Sequence, residues 1–366
     1  HDGDNTGEEG VIRLDIGEPD FPTPEHVIEE AERALREGLT HYGPTRGLEE
    51  LREAICEHFS SLGIDVRPDE VLITPGASFA LFLAFKTVLK PGDEVVIPTP
   101  TWFVYPELVR LAGGRCVFVR FGPGYEPDEE ALEEAIGPRT KALVLNTPNN
   151  PTGHVLDGRE VRGLAEIALE HDLYVISDEV YKLITYDDVR HVSFKTIEAL
   201  EERLILVDAF SKAYAMTGWR LGYLLAPREL CDKAEEIQRA LIMCVPPFIQ
   251  RAGVAALRGP QEPVREMVEE YRARRDLALS ILSELPGIEV RRPEGAFYLF
   301  PDVSAFGLEG SELAYELERE EGVRIMPGEL FGPGWEWHVR ISFCRPRDEL
   351  SEGLKRMVRF LEALRR

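Results

Sequence analysis

One lysine stands among residue types that suit covalent chemistry. Lys212 follows Ser211 in the segment SKAYAMTGWRLGY, and Arg220 comes eight residues later between Gly218 and Gly222. A lysine taken by itself is mostly a solvated surface residue. Sequestered in a site, however, its amine is easily deprotonated and can form a Schiff base with an aldehyde. The segment therefore indicates a candidate nucleophile with a cation close by.

A second set of residues offers partners for a phosphate group and for a protonated ring nitrogen. The backbone amides of Gly76 and Ala77, at a predicted helix start, could act with Ser78 and Arg220 on a phosphate dianion. Asp178 could pair with a protonated pyridine nitrogen, which pyridoxal phosphate requires to act as an electron sink. Taken alone, Asp178 is more simply interpreted as the cap of a strand-to-helix turn.

Short β-branched runs, separated by amphipathic stretches, must position these groups. They predict six buried parallel strands in an α/β alternation: VLIT (71–74), EVVIP (94–98), ALVLN (142–146), LYVIS (173–177), LILVDAF (204–210) and GYLLA (222–226). The segments TPGAS, NTPNNPTG, DEVY and SK stand at four of these strand ends. Open parallel sheets bind ligands beyond the carboxyl ends of their strands, so we expect one shared crevice.

The pattern changes after a long charged helix that the sequence predicts at about 263–285. The runs IEVRR, AFYLF, VRIMP and HVRISF follow with fewer helices between them, and an amphipathic helix closes the chain. This pattern is typical of an α+β arrangement rather than of a continued α/β alternation. It indicates a second, smaller domain.

The composition argues against several classes of partner and site. The chain has 366 residues, and 42 Lys or Arg against 66 Asp or Glu give a net charge of −24. Such a field repels nucleic-acid backbones and anionic lipids, so we expect neither nucleic acid nor a membrane as a partner. Five scattered cysteines without a CxxC pair argue against a disulfide framework and a zinc site. They fit a reducing cytoplasm.

Four motifs, in their order along the chain, resemble those of a known family: NTPNNPTG, SDEVY, FSKAYAMTGWRLGY and VRISF. From about residue 17 to the C-terminus, the chain resembles the class I pyridoxal-phosphate-dependent aminotransferases of fold type I, close to the aspartate aminotransferase group. The resemblance implies a large cofactor domain over 44–263, with a mostly parallel seven-stranded sheet sandwiched by helices. It also implies a small domain formed by 11–43 and 264–366, pyridoxal 5'-phosphate as the cofactor, and a homodimer.

The cofactor residues of that family carry over by position. Lys212 matches the lysine that binds the cofactor as a Schiff base and then shuttles a proton, and Asp178 matches the carboxylate on the pyridine nitrogen. Tyr181 matches the phenol that contacts the ring oxygen, with Asn150 contributing there and near the substrate carboxylate. Trp102 matches the aromatic residue stacked on one face of the ring.

Other matches surround the ring and its phosphate. Val180 matches the aliphatic residue on the second ring face. The phosphate cup is matched by four residues from two segments: Gly76, Ala77, Ser78 and Arg220. Many relatives have a serine three residues before the lysine, where this chain has Ala209, so we expect Ser211 to take over one phosphate contact.

Further matches concern the substrate and a second subunit. Arg340 resembles the arginine that holds the substrate α-carboxylate with two hydrogen bonds, a geometry that lysine could not supply. Gly17 matches the loop that lines the substrate. Tyr42, in HYGPTRG, resembles the tyrosine that reaches the phosphate of the neighbouring subunit. For an acidic substrate side chain, Arg239 is the only candidate cation that the sequence offers.

The resemblance implies a ping-pong transfer of the amino group from an L-amino acid to a 2-oxo acid such as 2-oxoglutarate. An aspartate-like donor comes first, with aromatic or aliphatic donors close behind. Alternatives are other pyridoxal-phosphate activities on the same fold, a C–S β-lyase or a decarboxylase. A remote alternative is an α/β-hydrolase, because GASFA approximates a nucleophile elbow at Ser78, with Asp178 and His338 in hydrolase order.

Overall fold

The computed structural model describes residues 10–365. Eleven α-helices lie in this part of the chain: α1 (Glu25–Arg36), α2 (Glu49–Ser61), α3 (Ala77–Val88), α4 (Tyr105–Ala112), α5 (Glu129–Ala135), α6 (Gly158–Glu170), α7 (Arg228–Ile242), α8 (Pro247–Arg258), α9 (Glu262–Ser283), α10 (Gly310–Glu321) and α11 (Arg347–Leu364). Twelve β-strands accompany them: β1 (Ile12–Arg13), β2 (Val71–Thr74), β3 (Glu94–Thr99), β4 (Arg115–Arg120), β5 (Thr140–Asn146), β6 (Tyr174–Asp178), β7 (Leu204–Ala209), β8 (Gly222–Leu225), β9 (Tyr298–Leu299), β10 (Val323–Arg324), β11 (Met326–Pro327) and β12 (Val339–Ser342). None of the helices just given is long and apolar enough to cross a membrane.

Seven strands form the central sheet, in the order β2-β8-β7-β6-β5-β3-β4. The run from β7 to β4 is parallel throughout, which confirms the predicted mostly parallel, seven-stranded α/β sheet. β8, however, pairs antiparallel with both β7 and β2, so the expectation of a parallel strand over 222–226 is wrong. The connection over 210–221 contains no helix, and parallel neighbours need a crossover that is usually helical.

Both faces of this sheet are buried. Adjacent strand residues point to opposite sides, so Val175 packs in one core with Leu164 of α6, whereas Ile176 packs in the other with Leu81 of α3. A parallel sheet covered on both faces reads as a continuous apolar run, which is why the sequence revealed β5, β6 and β7. The edge strand β4 could not be identified in this way, because Val119 is its one buried residue and three of its residues are exposed.

A second group of elements is assembled from both ends of the chain. β11, β12 and β9 form an antiparallel sheet, and the N-terminal strand β1 pairs in parallel with β10. Apolar residues of α9, α10 and α11 cover these strands, among them Met267, Leu313 and Leu354. The pairing of β1 with β10 ties the N-terminal segment to the C-terminal elements. The division into domains at residues 44 and 263 stays a prediction.

Candidate active site

A cavity of about 490 Å³ opens where β5, β6 and β7 end, and β1, β9 and β12 contribute to its opposite wall. Twelve of the predicted site residues line it: Gly17, Ala77, Ser78, Trp102, Asn150, Asp178, Val180, Tyr181, Ser211, Lys212, Arg220 and Arg340. The four polar strand endings therefore do meet in one crevice, as expected for the carboxyl edge of a parallel sheet.

Lys212 follows β7 and opens onto this cavity. Its Nζ donates a hydrogen bond to the backbone oxygen of Gly17 at 2.7 Å. Burial lowers the pKa of Lys212 to about 8, and the positive charges of Arg340 and Arg220 act in the same direction. Because the ammonium loses its proton more easily than in water, a neutral amine is accessible here near neutral pH.

Asp178 ends β6 and is buried beneath the cavity. Its Oδ2 accepts a hydrogen bond from the hydroxyl of Tyr105 at 2.6 Å, and its Oδ1 accepts one from the amide of Val180 at 3.3 Å. Burial raises the pKa of Asp178 to about 6, although these two hydrogen bonds act in the opposite direction. The carboxylate is thus a fixed acceptor that can share a proton near neutral pH.

Tyr181 lies beside Asp178 and meets a residue that the sequence did not single out. The hydroxyls of Tyr181 and Tyr298 are 2.9 Å apart, and burial raises the pKa of both phenols, that of Tyr298 to about 12. A Cβ on Gly17 would collide with the hydroxyl of Tyr298, so only glycine fits that position of the N-terminal segment. Both phenols therefore stay protonated and can donate hydrogen bonds.

The predicted phosphate cup is a helix N-terminus facing a guanidinium group. Gly76 precedes α3 with a φ of +84°, and a Cβ there would lie 2.6 Å from Nη2 of Arg220. Arg220 itself adopts a φ of 54° and donates from Nη1 to the backbone oxygen of Thr217 at 2.8 Å. Residues other than glycine rarely adopt a positive φ, and backbone strain of this kind concentrates at functional sites. The arrangement suits a dianion.

Arg340, on β12, is a buried cation, and one of its N–H donors has no hydrogen-bond partner. Its Nη1 donates to Oδ1 of Asn150 at 3.0 Å, and its Nη2 donates to the backbone oxygen of Asp15 at 2.6 Å. Its guanidinium lies 4.4 Å from the ring centroid of Tyr298. Its Nε is buried without a hydrogen-bond partner. A buried cation with an unpaired donor destabilises the protein, and an anionic ligand such as a carboxylate would satisfy that donor.

Trp102 and Val180 line the cavity, and Phe103 extends its aromatic wall. The ring of Trp102 meets that of Tyr105 edge-on, with centroids 5.4 Å apart. Tyr105, Tyr298 and Arg13 are the cavity residues of most interest that sequence reasoning missed. The sequence around these three residues does not mark them as site residues, because each reaches the cavity only through contacts with distant parts of the chain.

Two predicted site residues and two other candidates lie elsewhere. Gly76 stands behind Arg220 rather than in the cavity wall, and Tyr42 is 83% exposed on the surface. Arg239 lies on α7 and donates to Glu235 at 3.1 Å, away from the cavity. His338 stacks on Phe300 and is not among the described residues that line the cavity, so no Ser78-Asp178-His338 triad forms.

Comparison with known proteins agrees with this geometry. Residues 9–357 match the model of the family described as aminotransferase class I and II. The chain is 42% identical to an aromatic-amino-acid aminotransferase of Thermococcus litoralis over 97% of this chain and 93% of that one. It is 43% identical to an aspartate aminotransferase of Pyrococcus abyssi over 97% and 92% of the two chains. The crystal structure of an aromatic aminotransferase from Pyrococcus horikoshii superposes with a TM-score of 0.94 at 42% identity, over 96% of each chain.

The family match spans nearly the whole chain and agrees with the fold of the solved relatives. Three of the motifs on which the resemblance rested lie at strand ends that form the cavity, and the fourth, VRISF, is β12 with Arg340 in the cavity wall. Enzymes of this family generally depend on pyridoxal phosphate. The chain belongs to the aminotransferase class I and II family, and it is an aminotransferase.

Proposed function

We propose that this cavity binds pyridoxal 5'-phosphate and that amino transfer takes place in it. One observation carries the proposal: an amine with a lowered pKa, a helix N-terminus paired with an arginine, and a buried carboxylate share one cavity. These groups match the aldehyde, the phosphate and the ring nitrogen of that cofactor. The residues Gly76, Ala77, Ser78, Ser211 and Arg220 would hold the phosphate.

When bound, the cofactor supplies an electron sink for the pair of electrons left at the substrate Cα. Lys212 would hold the cofactor covalently and, after exchange with the substrate amine, would take the Cα proton with Nζ. Its lowered pKa favours this step, because only the neutral amine can accept a proton. Asp178 would accept the ring-nitrogen proton in a hydrogen bond, and Tyr181 would donate to the ring oxygen. Trp102 and Val180 would flank the ring.

Arg340 would bind the α-carboxylate that every amino-acid substrate shares. Its Nε has no partner within the chain, and Asn150 already fixes one side of the guanidinium. A planar guanidinium can form two parallel hydrogen bonds to one carboxylate, which sets the position of Cα relative to Lys212. Gly17 would leave room for the substrate at the wall opposite the sheet.

We propose an aspartate-like or aromatic L-amino acid as the donor and a 2-oxo acid such as 2-oxoglutarate as the acceptor, in a ping-pong sequence. The names of the relatives, which include both donor classes, support this range. Among the described residues that line the cavity, Arg13 is the cation left to contact an acidic side chain. Trp102 and Phe103 offer ring surfaces to an aromatic one.

The assembly and location are further parts of the proposal. A homodimer in which Tyr42 reaches the phosphate of the partner would account for a tyrosine that is 83% exposed in one chain. A large domain over 44–263 and a small domain of 11–43 with 264–366 would place the cavity between them. A cytoplasmic location fits five scattered cysteines without a CxxC pair.

The first test removes the proposed point of attachment. Lys212→Ala should abolish both the visible absorption of the covalently held cofactor and amino transfer, with activity reduced about a thousandfold or more. Lys233→Ala, which removes an exposed lysine on α7, is the control and should keep both. Covalently held cofactor in the Lys212→Ala protein would refute the assignment.

The second test separates amino transfer from the alternatives. With an amino acid and 2-oxoglutarate, the enzyme should form glutamate and a new 2-oxo acid in equal amounts. Release of carbon dioxide or a thiol without glutamate would instead favour a decarboxylase or a β-lyase. A hydrolase would lose activity on Ser78→Ala and tolerate Lys212→Ala, whereas we expect Lys212→Ala to abolish activity.

A further inference from the structure

Tyr105 is a buried residue of the cavity to which the proposed function assigns no task. It begins α4, it is completely buried, and its hydroxyl donates to Oδ2 of Asp178 at 2.6 Å. The second oxygen of Asp178 is held by the amide of Val180. Both oxygens of the carboxylate are therefore fixed by donors of the chain, one from its own turn and one from the start of α4.

The charges around Asp178 explain why such a donor matters. Two negatively charged carboxylates, those of Glu179 and Asp208, act on Asp178. The neighbouring phenol of Tyr181 is neutral and does not offset them. Burial and these carboxylates favour the neutral acid, whereas a hydrogen bond from a phenol favours the carboxylate. Burial also raises the pKa of Tyr105 well above its ordinary value, so its hydroxyl remains a donor over the whole working range.

We propose that Tyr105 is a positioning residue, which keeps the Asp178 carboxylate charged and oriented so that it can bind the protonated ring nitrogen of the cofactor. The proposal rests on the proposed function, because it concerns how this chain prepares a partner for that nitrogen. Tyr105 acts through Asp178 and takes no proton from the substrate. Its loss should therefore affect the recognition of the ring nitrogen selectively, rather than the recognition of the phosphate or of the substrate carboxylate.

The chain contains a matched control for this hydrogen bond. Tyr223 donates to Oδ2 of Asp208, also at 2.6 Å, and both residues are buried. Asp208 forms an ion pair with Lys182 at 2.6 Å, and neither Tyr223 nor Asp208 is among the described residues that line the main cavity. Tyr223→Phe thus removes a phenol hydrogen bond of the same length from a buried carboxylate that keeps its ion pair with Lys182, while both donors to Asp178 stay in place.

The test compares two probes on the full-length protein freed of cofactor. One is pyridoxal phosphate, and the other is its deaza analogue, in which a C–H group replaces the ring nitrogen. The wild-type protein should prefer pyridoxal phosphate, because only that compound presents an N–H group to Asp178. Tyr105→Phe should reduce this preference by about tenfold or more, as expected for the loss of a hydrogen bond to a charged group.

The ratio of the two affinities within one variant cancels a general loss of stability. Tyr223→Phe should leave the ratio at its wild-type value. If Tyr105→Phe fails to fold, Tyr105→Met takes its place, because it also removes the hydroxyl and its flexible side chain fills the space; it should reduce the preference to the same extent. Equal weakening of both probes, or no change in either, would overturn the role of Tyr105. If the wild-type protein bound neither probe, the proposed function itself would fail.

Discussion

Lys212 and Asp178 carry opposite charges, and burial acts against both. It lowers the pKa of Lys212 to about 8 and raises that of Asp178 to about 6. Removal from water disfavours the charged form of a group whatever its sign, so the two values move toward each other. Near neutral pH, each group therefore lies close to the point at which it exchanges a proton, which is the condition that acid-base catalysis favours.

Because the pKa of Asp178 is raised, the stability of the cofactor-free protein should depend on pH. The pKa rises from 3.8 to about 6 on folding, so between these values the folded chain binds more protons than the unfolded chain. The extra stability that protonated Asp178 gives to the folded state is present at pH 4 and is lost as the pH rises through 6. We expect the free energy of unfolding of wild type to fall by about 2 to 3 kcal/mol relative to that of Asp178→Asn between pH 4 and 7.

Urea unfolding at several pH values measures this difference. The exposed Asp65 provides the control, because Asp65→Asn removes a carboxylate of the same type without removing a buried one. Its unfolding free energy should run parallel to that of wild type. If the curve for Asp178→Asn were parallel to wild type as well, the Asp178 carboxyl would not have the raised pKa on which the proposed chemistry depends.

Arg340 should matter equally to every amino donor. Arg340→Lys keeps the positive charge but cannot form two parallel hydrogen bonds to the α-carboxylate, so kcat/KM should fall for acidic and aromatic donors alike. The loss of such a charge-assisted contact corresponds to about 2 to 3 kcal/mol, or roughly a hundredfold in kcat/KM. Steady-state kinetics with aspartate and phenylalanine test this. A loss confined to one donor class would place the carboxylate contact elsewhere.

Arg13 and Arg239 are rival candidates for an acidic side chain, and the structure distinguishes them. Arg13 lines the cavity, where its Nε and Nη2 donate to the two carboxylate oxygens of Asp15, each at 2.8 Å. Arg239 is an exposed residue of α7. Arg13→Ala should therefore lower kcat/KM for aspartate about tenfold while sparing phenylalanine. Arg239→Ala should change neither. A selective effect of Arg239→Ala would mean that the partner subunit supplies this residue to the cavity.

At the scale of elements, the site depends on the reversal of the chain between β7 and β8. The antiparallel pairing brings Gly222 of β8 directly opposite Ala209 of β7. The connection between them carries both Lys212 and Arg220, so the amine and the guanidinium reach the same cavity without a helix in between. A parallel crossover would have placed Arg220 at the opposite edge of the sheet. The error in the predicted strand direction thus concerned the feature that builds the cup.

The close packing of β8 against the start of α3 gives a prediction at this scale. A Cβ on Gly222 would lie 2.9 Å from the carbonyl carbon of Gly76 and 3.0 Å from the amide nitrogen of Ala77. Gly222→Ala should therefore displace the N-terminus of α3 and weaken cofactor binding by about tenfold or more. Gly218→Ala is the control, because a Cβ there meets no atom within 4 Å. Equal affinities in equilibrium titrations of the two variants would contradict the proposed cup.

The sequence reveals these elements to different degrees for physical reasons. Apolar runs such as those of β5 and β6 identify buried strands, and the polar residues that follow identify the edge at which ligands bind. Strand direction leaves no trace in the alternation of residues, so β8 could not be oriented in this way. Tyr105 and Tyr298 look like ordinary core aromatics, and only tertiary packing brings their hydroxyls to Asp178 and Tyr181.

At the scale of the whole molecule, the N-terminal segment connects the cavity to the C-terminal elements. Its backbone oxygens accept hydrogen bonds from three cations: Lys212 at Gly17, Arg340 at Asp15 and Arg345 at Arg13. Covalent attachment of a cofactor to Lys212 would remove the first of these bonds. The segment would keep the other two, which involve arginines at or after β12, together with the pairing of β1 with β10. Lys212, Arg340 and Arg345 thus join the cavity and β12 to the same N-terminal segment.

Tyr42 gives the remaining prediction, which concerns assembly. It is 83% exposed, and near it Met243 is 43% exposed, while the amide of Gly43 donates to Sγ of Cys244 at 3.4 Å. Large apolar side chains exposed together are typical of a surface that another chain covers. If Tyr42 completes the phosphate site of a partner, each active site draws residues from two chains, and a monomer should be inactive.

Mixing two inactive homodimers tests this arrangement. Lys212→Ala and Tyr42→Phe chains that exchange subunits would form hybrids with one site that has both intact residues and one that lacks both. Random exchange should then restore about a quarter of the wild-type activity at limiting cofactor, because half of the dimers are hybrids with one complete site each. Mixing the Tyr42→Phe chain with a chain that carries both substitutions is the control, and it should restore nothing, since no site then regains Tyr42 beside an intact Lys212. Recovery in the control, or none in the first mixture despite exchange shown by a mass tag, would place Tyr42 outside the partner's site.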